Sequence, residues 1–142
     1  MKKTILAAAV FTLLGSTIIF GQTTDNSKTK AQVTFCNIKS EESEITINYN
    51  DLGICDELTT VDKNLKIKSF VMSAPIPSKD DKGNESLLFQ DQTNIGGKLS
   101  KENRAFLKRF IALKVKKILI ENVIVLDGTT EKKLPGLIIN LK

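Results

Sequence analysis

The sequence predicts a mainly β protein, a sandwich of six or seven short strands with one α-helix near residues 101–111. Three observations carry this. Several segments alternate apolar and polar residues with a period of two. Turn residues separate them at short intervals. A single stretch behind a good N-cap has helical spacing instead.

The first strand is expected over residues 33–38 (VTFCNI) and the second over residues 44–50 (EITINYN), where Ile45, Ile47 and Tyr49 alternate with polar residues. A short polar turn, residues 39–43, joins them. Residues 65–73 (LKIKSFVMS) begin with the same alternation and form a third strand. Residues 74–85 follow as a loop, because they hold Pro75, Pro77 and the run SKDDKGNE. Residues 86–90 (SLLFQ) form a short strand and residues 94–98 (NIGGK) a turn. Ser100 then offers a hydroxyl to the first turn of a helix. Ala105, Phe106, Leu107, Phe110 and Ile111 recur on its apolar side. Residues 116–126 (KKILIENVIVL) are rich in β-branched residues and predict a strand that bends near Asn122. Asp127-Gly128 marks a turn, and residues 134–141 close the chain as a strand that starts irregularly at Pro135.

The amino terminus carries a different signal. Lys2 and Lys3 precede an apolar run over residues 5–20, with Gly21 placed for cleavage before Gln22. This is the order of a secretory signal, residues 1–21, and the run is shorter than the ~20 apolar residues needed to span a bilayer. A polar tail, residues 22–30, and a single β-rich domain, residues 31–142, would follow. The expected location is periplasmic or secreted, with no stable membrane insertion after cleavage. Cys36 and Cys55 form an even pair in such a chain, so a disulfide is the leading expectation, with two buried thiols as the alternative.

Residues 65–142 also carry a sequence of short matches. These are Ser69, Phe70 and Ser73 in a first strand, then Gly97, Leu99, Ser100, Leu107 and Lys108 entering and lining a helix. Ile120, Glu121, Asn122, Val123, Asp127, Gly128, Leu134 and Pro135 follow in a hairpin. In this order they resemble the C-terminal domain of the gliding-motility protein GldM and its relatives. The resemblance implies an immunoglobulin-like β-sandwich in the periplasm, docking onto outer-membrane-associated proteins of the gliding and type IX secretion machinery. It implies the docking module alone, without the membrane-anchored shaft. One departure is local. Family members carry a glycine shortly after the helix, whereas this chain has Ala112-Leu113-Lys114, so the turn leaving the helix should differ.

Charge is unevenly placed. Residues 41–62 hold seven acidic side chains and no Lys or Arg, while residues 98–117 hold eight basic ones against Glu102 alone. Lys101, Arg104, Lys108, Arg109, Lys114, Lys116 and Lys117 are therefore the candidate surface for an acidic protein partner in the cell envelope. The alternatives are a solvated helix face, the two segments facing each other within the fold, and head-to-tail self-association.

Other classes find little support. The chain contains no histidine, which removes Ser-His-Asp and Cys-His nucleophile arrangements and the usual zinc-enzyme ligand sets. No catalytic residue, cofactor or metal is expected, and no pair among the 16 acidic residues is singled out for acid–base work. Asp80, Asp81, Asn84 and Glu85 lack EF-hand spacing and are expected in a solvated loop. Gly96-Gly97 is expected in a tight turn rather than a phosphate cradle. Nucleic acid is not expected, because Phe106 and Phe110 belong to the helix's apolar face and export removes the occasion. A binding module for a small or polymeric ligand such as a glycan remains the alternative function, weakened by one tyrosine and no tryptophan.

Overall fold

A computed structural model describes residues 32–38 and 42–142. The expected signal, the polar tail and most of the turn between the first two strands lie outside these residues. The described chain is mainly β, with eight strands in two sheets and two helices.

The strands are β1 (Val33–Phe35), β2 (Glu44–Ile47), β3 (Leu58–Thr60), β4 (Leu65–Lys79), β5 (Glu85–Ile95), β6 (Lys117–Asp127), β7 (Thr130–Leu134) and β8 (Leu137–Leu141). The helices are α1 (Tyr49–Leu52) and α2 (Lys101–Ala112). The large sheet has the order β2-β8-β6-β4-β5, with β7 also on β6, and β1 and β3 form a separate antiparallel pair. All pairings are antiparallel except β2 with β8.

The period-two alternation places one face of the large sheet in the core. Ile45, Ile139 and Ile118 lie side by side across β2, β8 and β6, and Leu137, Ile120 and Met72 across β8, β6 and β4. These side chains form one buried cluster with Val33, Phe35 and Leu58 of the small sheet, Leu52 of α1, and Leu107 and Phe110 of α2. The core therefore sits between the large sheet and a layer made of the small sheet and the helices, which is a β-sandwich arrangement.

β6 bends where the sequence indicates. Ile118 and Ile120 are buried, then Val123 and Val125, so the alternation slips by one residue at Glu121-Asn122. Asn122 takes a left-handed φ of 47°, which asparagine tolerates better than most residues. The same slip lets one edge of β6 change neighbours, from β8 up to Ile120 to β7 from Val123 onward.

Several expected boundaries are corrected. The strand over residues 33–38 ends at Phe35. Cys36 and Asn37 both have φ of 58°, and the Ile38 N–H returns to the Phe35 carbonyl at 3.1 Å, a tight turn with two left-handed residues. The strand over residues 44–50 ends at Ile47, because Asn48 caps α1 by accepting from the Asp51 N–H at 2.8 Å. Tyr49 is thus helical, and its hydroxyl donates to the Val115 carbonyl at 2.9 Å. The short β3 and the hairpin partner β7 are additional strands.

The largest correction concerns residues 74–85. They are not a loop: β4 runs on to Lys79 and pairs with β5 along its whole remaining length. β6 leaves β4 after the Ser73–Leu119 pair, so Pro75 and Pro77 lie where no third strand asks for their missing N–H groups. The loop is reduced to residues 80–84. The Asp80 carboxylate accepts from the Lys82 and Asn84 N–H groups and the Asn84 side chain, and Gly83 supplies φ of 81°.

Candidate interaction surface

α2 starts as its sequence indicates. The Ser100 hydroxyl accepts from the Asn103 N–H at 3.1 Å, and the preceding turn is organised by the buried Asn94. The Asn94 side-chain amide donates to the carbonyls of Gly96 and Lys98, and its oxygen accepts from the Ser100 N–H at 3.0 Å. Asn103, also buried, donates to the Thr93 carbonyl at 3.0 Å and so ties α2 to β5. Its side-chain oxygen has no partner among the described residues.

Leu107 and Phe110 face the core, which turns Lys101, Arg104 and Lys108 outward on one stripe. Arg109 stands about a quarter-turn away on the same helix. All seven candidate basic residues are exposed, and among the described residues none makes an ion pair. They do not form one continuous patch. Lys114 follows the helix, Lys116 precedes β6, and Lys117 alternates with the buried Ile118, so it belongs to the sheet face away from the core.

The acidic segment lies beside this stripe. Gly53, Ile54 and Asp56 line a shallow cleft together with Arg104, Lys108 and Ile111. The Leu99 N–H donates to the Asp56 carbonyl at 2.7 Å, and the backbones of Glu57 and Lys98 form an isolated antiparallel β-bridge. The two charged segments are thus neighbours in the fold, and Arg104 and Lys108 line that cleft without an ion pair among the described residues.

The helix ends in a Schellman turn. The Val115 N–H reaches the Phe110 carbonyl at 3.2 Å and the Lys114 N–H reaches the Ile111 carbonyl at 3.0 Å. The residue that must turn left-handed is Lys114, with φ of 50°. The glycine-free sequence therefore keeps the turn but makes a side-chain-bearing residue adopt it.

Cys36 and Cys55 form a disulfide, their α-carbons 5.0 Å apart. It links the turn after β1 to the segment between α1 and β3, next to the cleft that holds Arg104 and Lys108.

A second surface escaped the sequence reading. Beyond Ser73, β4 and β5 continue as a two-stranded arm. On it Leu87, Leu88 and Phe89 are consecutive and exposed by 65%, 55% and 61%. The run SLLFQ has no alternation, which in sequence suggests a strand buried on both faces. Its neighbours explain the reverse: β5 is the last strand of the sheet, and the arm has no layer over its outer face among the described residues.

Among the hairpin residues that carry the resemblance, Glu121, Asn122, Leu134 and Pro135 converge on the break between β7 and β8, where they line an open depression with Leu119 and Ile138. The Ser73 hydroxyl donates to Glu121 at 2.7 Å and the Lys133 ammonium to Asn122 at 2.9 Å. Among the described residues, no group of three metal-ligating side chains gathers here or elsewhere, and no helix is long and apolar enough to cross a membrane. No protein-family model matches the chain, and the search of curated proteins finds no relative.

Proposed function

We propose that this chain is an exported, non-catalytic protein–protein interaction module of the bacterial cell envelope, similar in role to the docking domain of the gliding and type IX secretion machinery. The observation that carries this reading is the exposed run Leu87-Leu88-Phe89 on the edge strand of a two-stranded arm that β6 does not accompany. Large apolar side chains clustered at a surface are costly in water and become favourable only when a partner covers them. The stripe of Lys101, Arg104 and Lys108 adds a long-range element. Exposed cations without ion pairs on one helix face accelerate encounter with an acidic partner and help to orient it. The Cys36–Cys55 disulfide supports an oxidising compartment, periplasmic or extracellular.

The test is cross-linked affinity purification of the tagged chain from its own cells, followed by mass spectrometry. Recovery of outer-membrane-associated secretion or gliding components is the expected result. Recovery of nothing above background would overturn the reading.

A further inference from the structure

The edge of β5 has a definite hydrogen-bonding phase, and the two prolines of β4 reveal it. Pro75 stands opposite Phe89 and Pro77 opposite Leu87. A proline has no N–H to give, so neither pair can be one in which both residues exchange hydrogen bonds. In the other kind of antiparallel pair, the N–H and C=O groups of both residues point away from each other. Those of Leu87 and Phe89 therefore point out of the sheet, at the free edge of β5. The Thr93 carbonyl shares their phase, and it too points outward, since it accepts from Asn103 of α2. The helix thus closes the edge at Thr93. From Asp91 back to Glu85, no described residue pairs with it.

The side chains of the same alternate residues lie on one face, in the order Glu85, Leu87, Phe89, Asp91. Two apolar groups are bracketed by two carboxylates, and all four are exposed. Lys79 faces Glu85 across the ladder without forming an ion pair with it.

We infer that the free edge of β5 receives an extended strand from another protein by backbone pairing, and that it selects a strand with a basic, two apolar and a basic side chain at alternate positions. Outward N–H and C=O groups supply the ladder, as in other cases of strand addition, and alternate side chains supply specificity. In the register that sets all four of these side chains opposite one another, charge disfavours a second copy of this chain. The antiparallel register that sets Leu87 opposite Phe89 of another copy also sets Glu85 opposite Asp91 at both ends, and like charges directly opposite are unfavourable. Basic residues at those two positions reverse the sign. This rests on the interaction reading above and adds the kind of segment recognised.

The test titrates the full chain with the peptide Lys-Thr-Val-Thr-Val-Thr-Lys, blocked at both ends, and with its counterpart bearing Glu at the two termini. Amide hydrogen exchange is read residue by residue. The basic peptide should slow exchange at Leu87, Phe89 and Asp91, and the acidic one should bind about tenfold more weakly. A double variant, Glu85→Lys with Asp91→Lys, leaves the backbone edge untouched and should invert that preference. Leu87→Pro removes one outward donor and should abolish binding of both peptides. Equal binding of the two peptides, no binding of either, or dimers of the parent chain in sedimentation would each overturn the inference. If the affinity purification recovers partners equally well with Leu87→Pro, this inference fails while the interaction reading stands. An empty purification with the parent chain removes the reading itself.

Discussion

Gly136 passes so close to β6 that a Cβ on it would sit 2.1 Å from the Ile120 carbonyl oxygen. This contact lies where β6 exchanges β8 for β7 as its neighbour, so the bend at Glu121-Asn122 and the break at Pro135-Gly136 fit into each other. No side chain can be accommodated without moving backbone. Gly136→Ala should therefore destabilise the chain by about 3 kcal/mol. Urea unfolding would measure it, and an unchanged midpoint would show that the two strands are not locked together there.

Lys114 gives the opposite expectation. Its left-handed φ of 50° closes the Schellman turn of α2, and a Cβ makes that conformation cost about 1–2 kcal/mol, part of which glycine returns through its greater freedom when unfolded. Lys114→Gly should stabilise the chain by about 0.5–1 kcal/mol, seen as a higher melting temperature.

The disulfide closes a sequence separation of 19 residues. Replacing Cys36 and Cys55 together by serine should lower stability by about 3 kcal/mol, mainly by freeing the unfolded chain. Reduction by dithiothreitol should lower the melting temperature of the parent chain and leave that of the double variant unchanged.

At the tip of the arm, hydrogen bonds from Asn84, with help from Lys82 and Gly83, hold the Asp80 carboxyl below the usual aspartate range. A folded-state value below the unfolded one means that the ionised carboxylate supports the turn. That support is present above the unfolded pKa and is lost as the pH falls through the folded one. Acidification into that window should speed amide exchange at Lys82 and Asn84, while Asp80→Asn should show the faster exchange at neutral pH.

The parts of this fold that sequence reading captured are those in which local chemistry and tertiary packing agree. Ser100 caps α2, the alternation around Ile45 and Phe70 faces the core, Asn122 bends β6, and Asp127-Gly128 turns the chain into β7. The parts that sequence reading missed depend on neighbours that no local pattern reports. Pro75 and Pro77 argue against a strand until it is known that β6 leaves β4 at Ser73. Tyr49 continues an alternation, yet Asn48 supplies a cap and the tyrosine hydroxyl finds the Val115 carbonyl far along the chain. Leu87, Leu88 and Phe89 are apolar like core residues, and only the position of β5 at the sheet's edge makes them surface. The basic residues were legible as a cluster, but the separation of Lys117 from the helix stripe needed the phase of β6.

Docking through the exposed surface is decided by comparing surface variants in the cell. Cross-linked affinity purification would be run side by side with the parent chain and with Lys101→Glu, Arg104→Glu and Lys108→Glu combined. All three side chains are exposed and none makes an ion pair among the described residues, the Arg104 guanidinium donating only to the Leu99 carbonyl at 3.2 Å, so the variant should stay within about 1 kcal/mol of the parent in stability. Envelope proteins should be recovered by the parent and strongly depleted with the variant. Equal recovery by both would contradict a role for the helix face, and recovery by neither would contradict the docking function.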